Sequence, residues 1–305
     1  MRILVFGAGA LGSFVGGVLA QKYDVTLYGR EKKVHIIRES GLRITGKTEI
    51  MVKPKIAFRL NDLKGQEFDL IILTVKAYDT ERAMEIIKEI IGKNSAVLSL
   101  QNGLDNEFRI AEIIGEERTL GGVTSHGITF MEPGHVHHAG TGETVIGELN
   151  KKETERTKKI GLALTSVGIN TRTSTNIQSE IWTKGIVNAG INPLTAITRL
   201  KNGYLLEIPL LTKLLESTCQ ECITVANKAK MDLLKCDIIK KTKNVARLTA
   251  ENKSSMLQDI ERGKRTEIDT INGKIVEIGR MRGVETPINS ALVALVKGIE
   301  ESSGN

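Results

Sequence analysis

Residues 7–12 read Gly-Ala-Gly-Ala-Leu-Gly, between an apolar β-branched run (Ile3 to Phe6) and an alanine- and glycine-rich helical stretch (Ala10 to Gln21). No other feature of the chain restricts its fold as strongly. A buried strand must end, turn sharply and feed a helix that packs back onto it. In such a unit Gly7 makes the tight turn, Gly9 lets the backbone approach a pyrophosphate, and Gly12 lets helix and strand pack closely. The helix N-terminus adds free N–H groups and a favourable dipole for phosphate. A second strand, Asp24 to Tyr28, follows at once, which is the context that separates a dinucleotide site from a chance glycine turn. Gly7, Ala8, Gly9, Ala10, Leu11 and Gly12 are therefore candidate cofactor contacts.

The remainder of the first half continues the alternation. Glu31 to Ser40 is helical, Leu42 to Arg59 reads as a hairpin-like excursion around Gly46 and Pro54, and Phe68 to Val75 is a continuous apolar run suited to a strand covered on both faces. A helix (Thr80 to Ile91) and a strand (Ala96 to Leu100) come next, then glycine-punctuated β-like segments from Thr119 to Leu149, a helix to Val167 and a closing strand at Asn170 to Thr173. Beyond Thr175 the pattern is nearly all helical. The expected fold is α/β: a Rossmann-type doubly wound parallel sheet followed by an all-helical C-terminal domain, with residues 1–173 as the dinucleotide-binding domain and 174–305 as a helical domain for substrate and dimerisation.

Where an NAD enzyme usually places an acid after the second strand, this chain has Tyr28-Gly29-Arg30. An arginine there suits the 2′-phosphate of NADPH; the plain alternative is that Arg30 only starts a helix. Lys76 and Asn102 follow the third and fourth strands, where strand C-termini line the ligand crevice of an open parallel sheet. Either residue alone could be a surface lysine or an Asn-Gly turn. Lys184, Asn188 and Asn192 recur at spacings of four and so share one helix face. That stripe either faces solvent or presents an ammonium and two amides to a small polar ligand, and Pro193 removes a helix hydrogen bond beside it. Ser254, Ser255 and Glu267 could cap helices or contact substrate.

Other signals are weaker. The net charge of +7 comes from basic residues interleaved with acids, and only 4% of residues are aromatic, so nucleic acid is not an expected partner. The N-terminal apolar stretch is glycine-interrupted and lacks a cleavage site, and no run is long enough to span a membrane; with three cysteines, this suggests a cytoplasmic protein. Cys219-x-x-Cys222 lies in a helical pattern without a second pair, and Cys236 does not complete a zinc site. His135, His137 and His138 have no companion acid or cysteine, so no metal is expected and a histidine-bearing surface hairpin is.

The motifs GAGALG, the arginine after the second strand, VKAYDT, QNGL, EIWTKGIVNAGINPLTAI and SSMLQDIERGKRTEIDTING together resemble those of ketopantoate reductases, in order and approximate spacing over most of the chain. The resemblance implies NADPH-dependent reduction of ketopantoate to pantoate in pantothenate and coenzyme A biosynthesis. It implies that Lys184 is the catalytic lysine and Glu267 the acid serving catalysis, substrate and cofactor. Asn102, Asn188, Asn192, Asn202 and Ser255 are then substrate contacts. Gly7, Gly9, Gly12, Arg30 and Lys76 are cofactor contacts, and Asn102 touches both ligands. The competing readings are another two-domain dehydrogenase of 2-keto or 3-hydroxy acids, and a non-catalytic NADPH sensor. A homodimer is a further expectation.

Overall fold

The computed structural model describes residues 1–302. Within them the chain divides into two compact units. One comprises Met1–Gln101 and Asp105–Ile177; the other comprises Asn102–Leu104 and the residues from Gln178 onwards.

The first unit is built on β1 (Arg2–Phe6), α1 (Ala10–Leu19), β2 (Asp24–Tyr28) and α2 (Glu31–Ser40). After β3 (Leu42–Gly46), β4 (Ile50–Val52) and β5 (Lys55–Ala57) come β6 (Leu70–Leu73), α3 (Thr80–Ile87), β7 (Ala96–Ser99) and α4 (Asn106–Ile114). The unit continues through β8 (Thr119–Thr124), β9 (Gly127–Glu132), β10 (His135–Gly140), β11 (Thr144–Glu148), α5 (Glu155–Thr165) and β12 (Thr171–Thr173). Among the described residues, eight strands form one sheet in the order β12-β11-β8-β7-β6-β1-β2-β5. From β5 to β8 every pairing is parallel; β11 returns antiparallel to β8. β6 and β7 are buried at every residue, which is why their sequences are unbroken apolar or small runs without alternation.

The excursion after α2 is more than a hairpin. β3 and β4 do pair antiparallel, but β5 leaves them to extend the main sheet beside β2. β3 also pairs in parallel with β10, so a four-stranded sheet, β4-β3-β10-β9, joins segments about ninety residues apart. The β-rich stretch after Thr119 is thus shared between two sheets, with β8 and β11 in one and β9 and β10 in the other.

The second unit is helical: α6 (Ile177–Thr198), α7 (Tyr204–Glu207), α8 (Pro209–Lys228), α9 (Ile238–Leu248), α10 (Ser255–Glu261), a π-helical turn at Asp269–Gly273, α11 (Lys274–Met281) and α12 (Pro287–Ser302). Its core gathers Trp182, Ile186, Ala189, Leu215, Cys219, Cys222, Ile271 and Leu292 around α6, with Leu104 packed among them. Almost every residue of α6 from Ile181 to Ala196 is buried, and Pro193 lies inside the helix. A proline there has no N–H for the carbonyl of Ala189, and a buried carbonyl left without a donor costs about 1–3 kcal/mol. No helix of the described residues is long and apolar enough to cross a membrane.

Candidate active site

The glycine turn has the geometry its spacing implies. Gly7 has φ of +123°, and a side chain there would also meet the Val75 nitrogen at 2.8 Å. A Cβ on Gly12 would stand 1.8 Å from the Gly7 carbonyl oxygen, so α1 can approach β1 this closely only without one. Gly9 differs: nothing lies within 4 Å of an added Cβ, and no side chain caps the helix it starts. The backbone at Gly9 is therefore open on the side a Cβ would occupy, as close approach of a phosphate to the start of α1 would need. Thr74 Oγ1 holds the turn from β6, donating to the carbonyls of Gly7 (2.9 Å) and Phe6 (3.2 Å). Ala8 is buried, and Ala10 and Leu11 are partly exposed at the start of α1.

Arg30 follows β2 as the N-cap of α2, with a side chain 81% exposed and a guanidinium 3.9 Å from Asp79. Lys76 is half-buried, just past β6. Both residues lie at the C-terminal ends of strands flanking β1, on the edge that also carries the glycine turn. The open cradle at Gly9 and a cation beyond β2 fit a phosphorylated dinucleotide.

The second unit holds a linear polar chain. Lys184 Nζ on α6 donates to Asn102 Oδ1 at 2.9 Å, and Asn102 Nδ2 donates to Glu267 Oε2 at 3.3 Å. The amide thus stands between an ammonium and a carboxylate, each facing the end of opposite polarity. Asn188 is half-buried one turn beyond Lys184, and Asn192 is buried one turn further. Because α6 is enclosed by its own unit, this stripe does not form an ordinary solvated helix face. Asn192, Ser255, Met256, Asp259, Glu267 and Ile271 line a small depression that mixes amide, hydroxyl, carboxylate and apolar groups.

The two serines separate in role. Ser254 is the N-cap of α10: its Oγ accepts from the Leu257 amide (3.1 Å) and from Thr195 Oγ1 (2.7 Å). Ser255 is exposed at the depression. Asn202 lies apart from that lining, with Nδ2 donating to Thr249 Oγ1 at 2.8 Å and its backbone amide to the Asn252 carbonyl. Asp259, only 8% exposed, lines the depression without having been singled out from the sequence. Its spacing of four from Ser255 on one helix was the available signal.

The histidine segment does form a hairpin, β9–β10, but its histidines are not simply on the surface. His135 and His137 share a face and both contact Thr45 Oγ1. His138 is 2% exposed, packs its ring at a tilt against Phe14 of α1 and lies 3.1 Å from His126. The strand period places His138 opposite its neighbours, and the face it takes is the one packed on α1. Burial, helped by repulsion from His138, lowers His126 to about 4, and burial also lowers His138. Cys219 and Cys222 are buried between helices, where burial raises the Cys219 thiol to about 11 and Cys222 well above its usual value; Cys236 is exposed. Among the described residues no three His, Cys, Asp or Glu side chains are grouped to hold a metal.

Fold and side chains place the chain among oxidoreductases that couple a Rossmann-type dinucleotide-binding domain to a helical domain. Comparison with known proteins narrows the class. Residues 3–151 match the family model "Ketopantoate reductase PanE/ApbA" and residues 176–300 match "Ketopantoate reductase PanE/ApbA C terminal". The chain belongs to the ketopantoate reductase family. It is 41% identical to the 2-dehydropantoate 2-reductase of Pyrococcus horikoshii, over 100% of this chain and 99% of that protein. A PanE/ApbA family ketopantoate reductase from Ralstonia eutropha JMP134 superposes with a TM-score of 0.91 at 32% identity, covering both chains completely. A D-mandelate dehydrogenase solved with NADH and anilino(oxo)acetate superposes with a TM-score of 0.94 at 31% identity, over 100% of this chain and 99% of that one.

Proposed function

We propose that this chain reduces 2-dehydropantoate (ketopantoate) to pantoate with NADPH, and that Lys184 is the proton donor. The observation that carries the reading is the Lys184–Asn102–Glu267 chain, whose carboxylate also lines a small depression of mixed amide, hydroxyl and apolar character. NADPH, when bound, supplies the hydride for the keto carbon. As that carbon is reduced, negative charge builds on its oxygen; the Lys184 ammonium stabilises the charge and then gives up a proton. Asn102 accepts from the ammonium and so orients it. Glu267, through Asn102, keeps the amide turned with its oxygen towards the lysine. Asn188, Asn192 and Ser255 offer amide and hydroxyl groups to the substrate's carboxylate and terminal hydroxyl, and such polar partners discriminate strongly against analogues that lack them.

Gly7 to Gly12 hold the pyrophosphate, and Arg30 with Lys76 takes the 2′-phosphate. Asn202, tied to Thr249, contributes to the substrate region through the loop after α6. The protein acts in the cytoplasm as a homodimer formed through the helical domain. Similarity to a D-mandelate dehydrogenase favours one second reading, reduction of another 2-keto acid with NADH.

The experiment mixes the purified protein with NADPH or NADH and follows loss of reduced-cofactor absorbance on adding ketopantoate, 2-ketoisovalerate or phenylglyoxylate. Fast oxidation of NADPH by ketopantoate alone supports the proposal. Faster turnover of phenylglyoxylate with NADH replaces it by the second reading. Tight NADPH binding without turnover of any keto acid removes both and leaves a sensor.

A further inference from the structure

Pro193 interrupts α6 directly after Asn192, which lines the depression, and the ring of a proline inside a helix displaces the carbonyl four residues earlier. That carbonyl belongs to Ala189, which is fully buried and out of reach of bulk water. Its partner is a side chain from a distant part of the chain: Asn272 Nδ2 donates to the Ala189 oxygen at 3.2 Å. The same nitrogen donates to Asn289 Oδ1 at 2.9 Å, so both amide hydrogens are used. Asn289 is in turn oriented by Glu221 of α8. Its Nδ2 donates to Glu221 Oε2 at 2.7 Å, and the backbone amides of Ile288 and Asn289 donate to the same carboxylate. Asn272 and Asn289 are both 0% exposed.

Asn272 also sits in the π-helical turn Asp269–Gly273, where the Gly273 amide reaches back to the Ile268 carbonyl at 2.9 Å. Such turns are rare and concentrate at functional sites. This one begins two residues after Glu267 and contains Ile271, both of which line the depression. One amide therefore fastens the two walls that carry the reacting groups, α6 with Lys184 and Asn192, and the segment with Glu267 and Ile271.

We infer that Asn272 is a positioning residue for the reduction. By holding the carbonyl that Pro193 displaces, it sets the spacing between Lys184 on α6 and Glu267 ahead of the π turn. The inference rests on the ketopantoate reductase reading. It requires Asn rather than Asp at 272, because an acceptor-only carboxylate cannot donate to either Ala189 or Asn289.

The test uses Asn272→Leu, Pro193→Ala and the double variant, each assayed for kcat, KM for ketopantoate, NADPH affinity and thermal midpoint. Alanine at 193 returns a backbone N–H to the Ala189 carbonyl, so stability and positioning separate. Asn272→Leu is expected to lower both midpoint and kcat, the latter by about tenfold to a hundredfold for a small misplacement of reacting groups. The double variant is expected to regain the midpoint while kcat stays low and NADPH affinity is unchanged. Pro193→Ala alone, which keeps the fold intact, is expected to lower kcat as well. Wild-type kcat in Pro193→Ala, or recovery of kcat together with stability in the double variant, overturns the inference. Absence of ketopantoate turnover in the wild-type protein instead removes the functional reading on which it rests.

Discussion

Lys184 donates a hydrogen bond to the side-chain oxygen of Asn102 at 2.9 Å, although the two residues are 82 positions apart. The same amide donates onward to Glu267. A flexible ammonium is thereby held by an amide oxygen, which orients it. This arrangement leads to the first two predictions.

Lys184→Ala removes the proposed proton donor and should lower kcat for ketopantoate by about a hundredfold to ten-thousandfold, the usual range for a general acid. NADPH affinity should be retained. Fluorescence titration of NADPH beside steady-state kinetics checks this, and equal losses in both quantities would defeat the assignment.

Asn102 and Lys184 should behave as one unit. Asn102→Ala alone should cost turnover because the ammonium loses its orienting acceptor. In Asn102→Ala/Lys184→Ala, however, the logarithmic loss should be clearly less than the sum of the losses in the two single variants, as for contacting residues in one network. Strict additivity in a double-mutant cycle would show that the contact has no part in catalysis.

The glycine turn predicts a separation of folding from binding. Gly9→Ala meets no atom within 4 Å and has an ordinary φ of −86°, so its thermal midpoint should match wild type while dinucleotide affinity falls. Gly12→Ala would drive a methyl group into the Gly7 carbonyl and should destabilise the fold itself. Midpoints measured with and without NADPH distinguish the two. A Gly9→Ala protein that still gains full stabilisation from NADPH would place the phosphates elsewhere.

Arg30 carries the cofactor preference in this reading. Arg30→Ala should raise KM for NADPH about tenfold or more and leave KM for NADH nearly unchanged, since a guanidinium contributes chiefly through the 2′-phosphate. Equal effects on both cofactors would argue for a role confined to the start of α2.

Acid should loosen the first unit through its histidines. His126, with a folded pKa near 4 set by burial, takes up its proton in the unfolded chain near 6.5 but not in the folded one. The stability it contributes is complete above about pH 6.5 and is lost progressively as pH falls towards 4. Thermal midpoints between pH 8 and 4 should therefore drop less steeply in His126→Phe than in wild type. Parallel curves would rule His126 out as a source of acid lability.

Much of this was legible without coordinates. The glycine spacing, the buried strands beside it and the helical second half are encoded within windows of about thirty residues, because strand and helix periods report burial locally. The stripe of Lys184, Asn188 and Asn192 was visible for the same reason, and Glu267 and Ser255 stood out by resemblance. Asp259 and Asn272 were within view in the same segment, but a polar residue in a helical pattern does not reveal whether it faces solvent, a ligand or another buried amide.

The sequence by itself thus determined the class of fold and the glycine turn after β1, and it supplied the candidates for the proposed site. Tertiary structure alone decided how they combine. It joined Asn102 to Lys184 and to Glu267, 165 residues away, and grouped Asn102 with the helical unit although it comes three residues after a strand of the sheet. It also paired β3 with β10, turned His138 inwards onto α1, and brought Asn272 to the carbonyl that Pro193 leaves without a donor. The physical reason is common to all of these. Periodicity states that a face is buried, but the partner of a buried polar group is chosen by which distant elements pack against it, and that choice is made only in the folded chain.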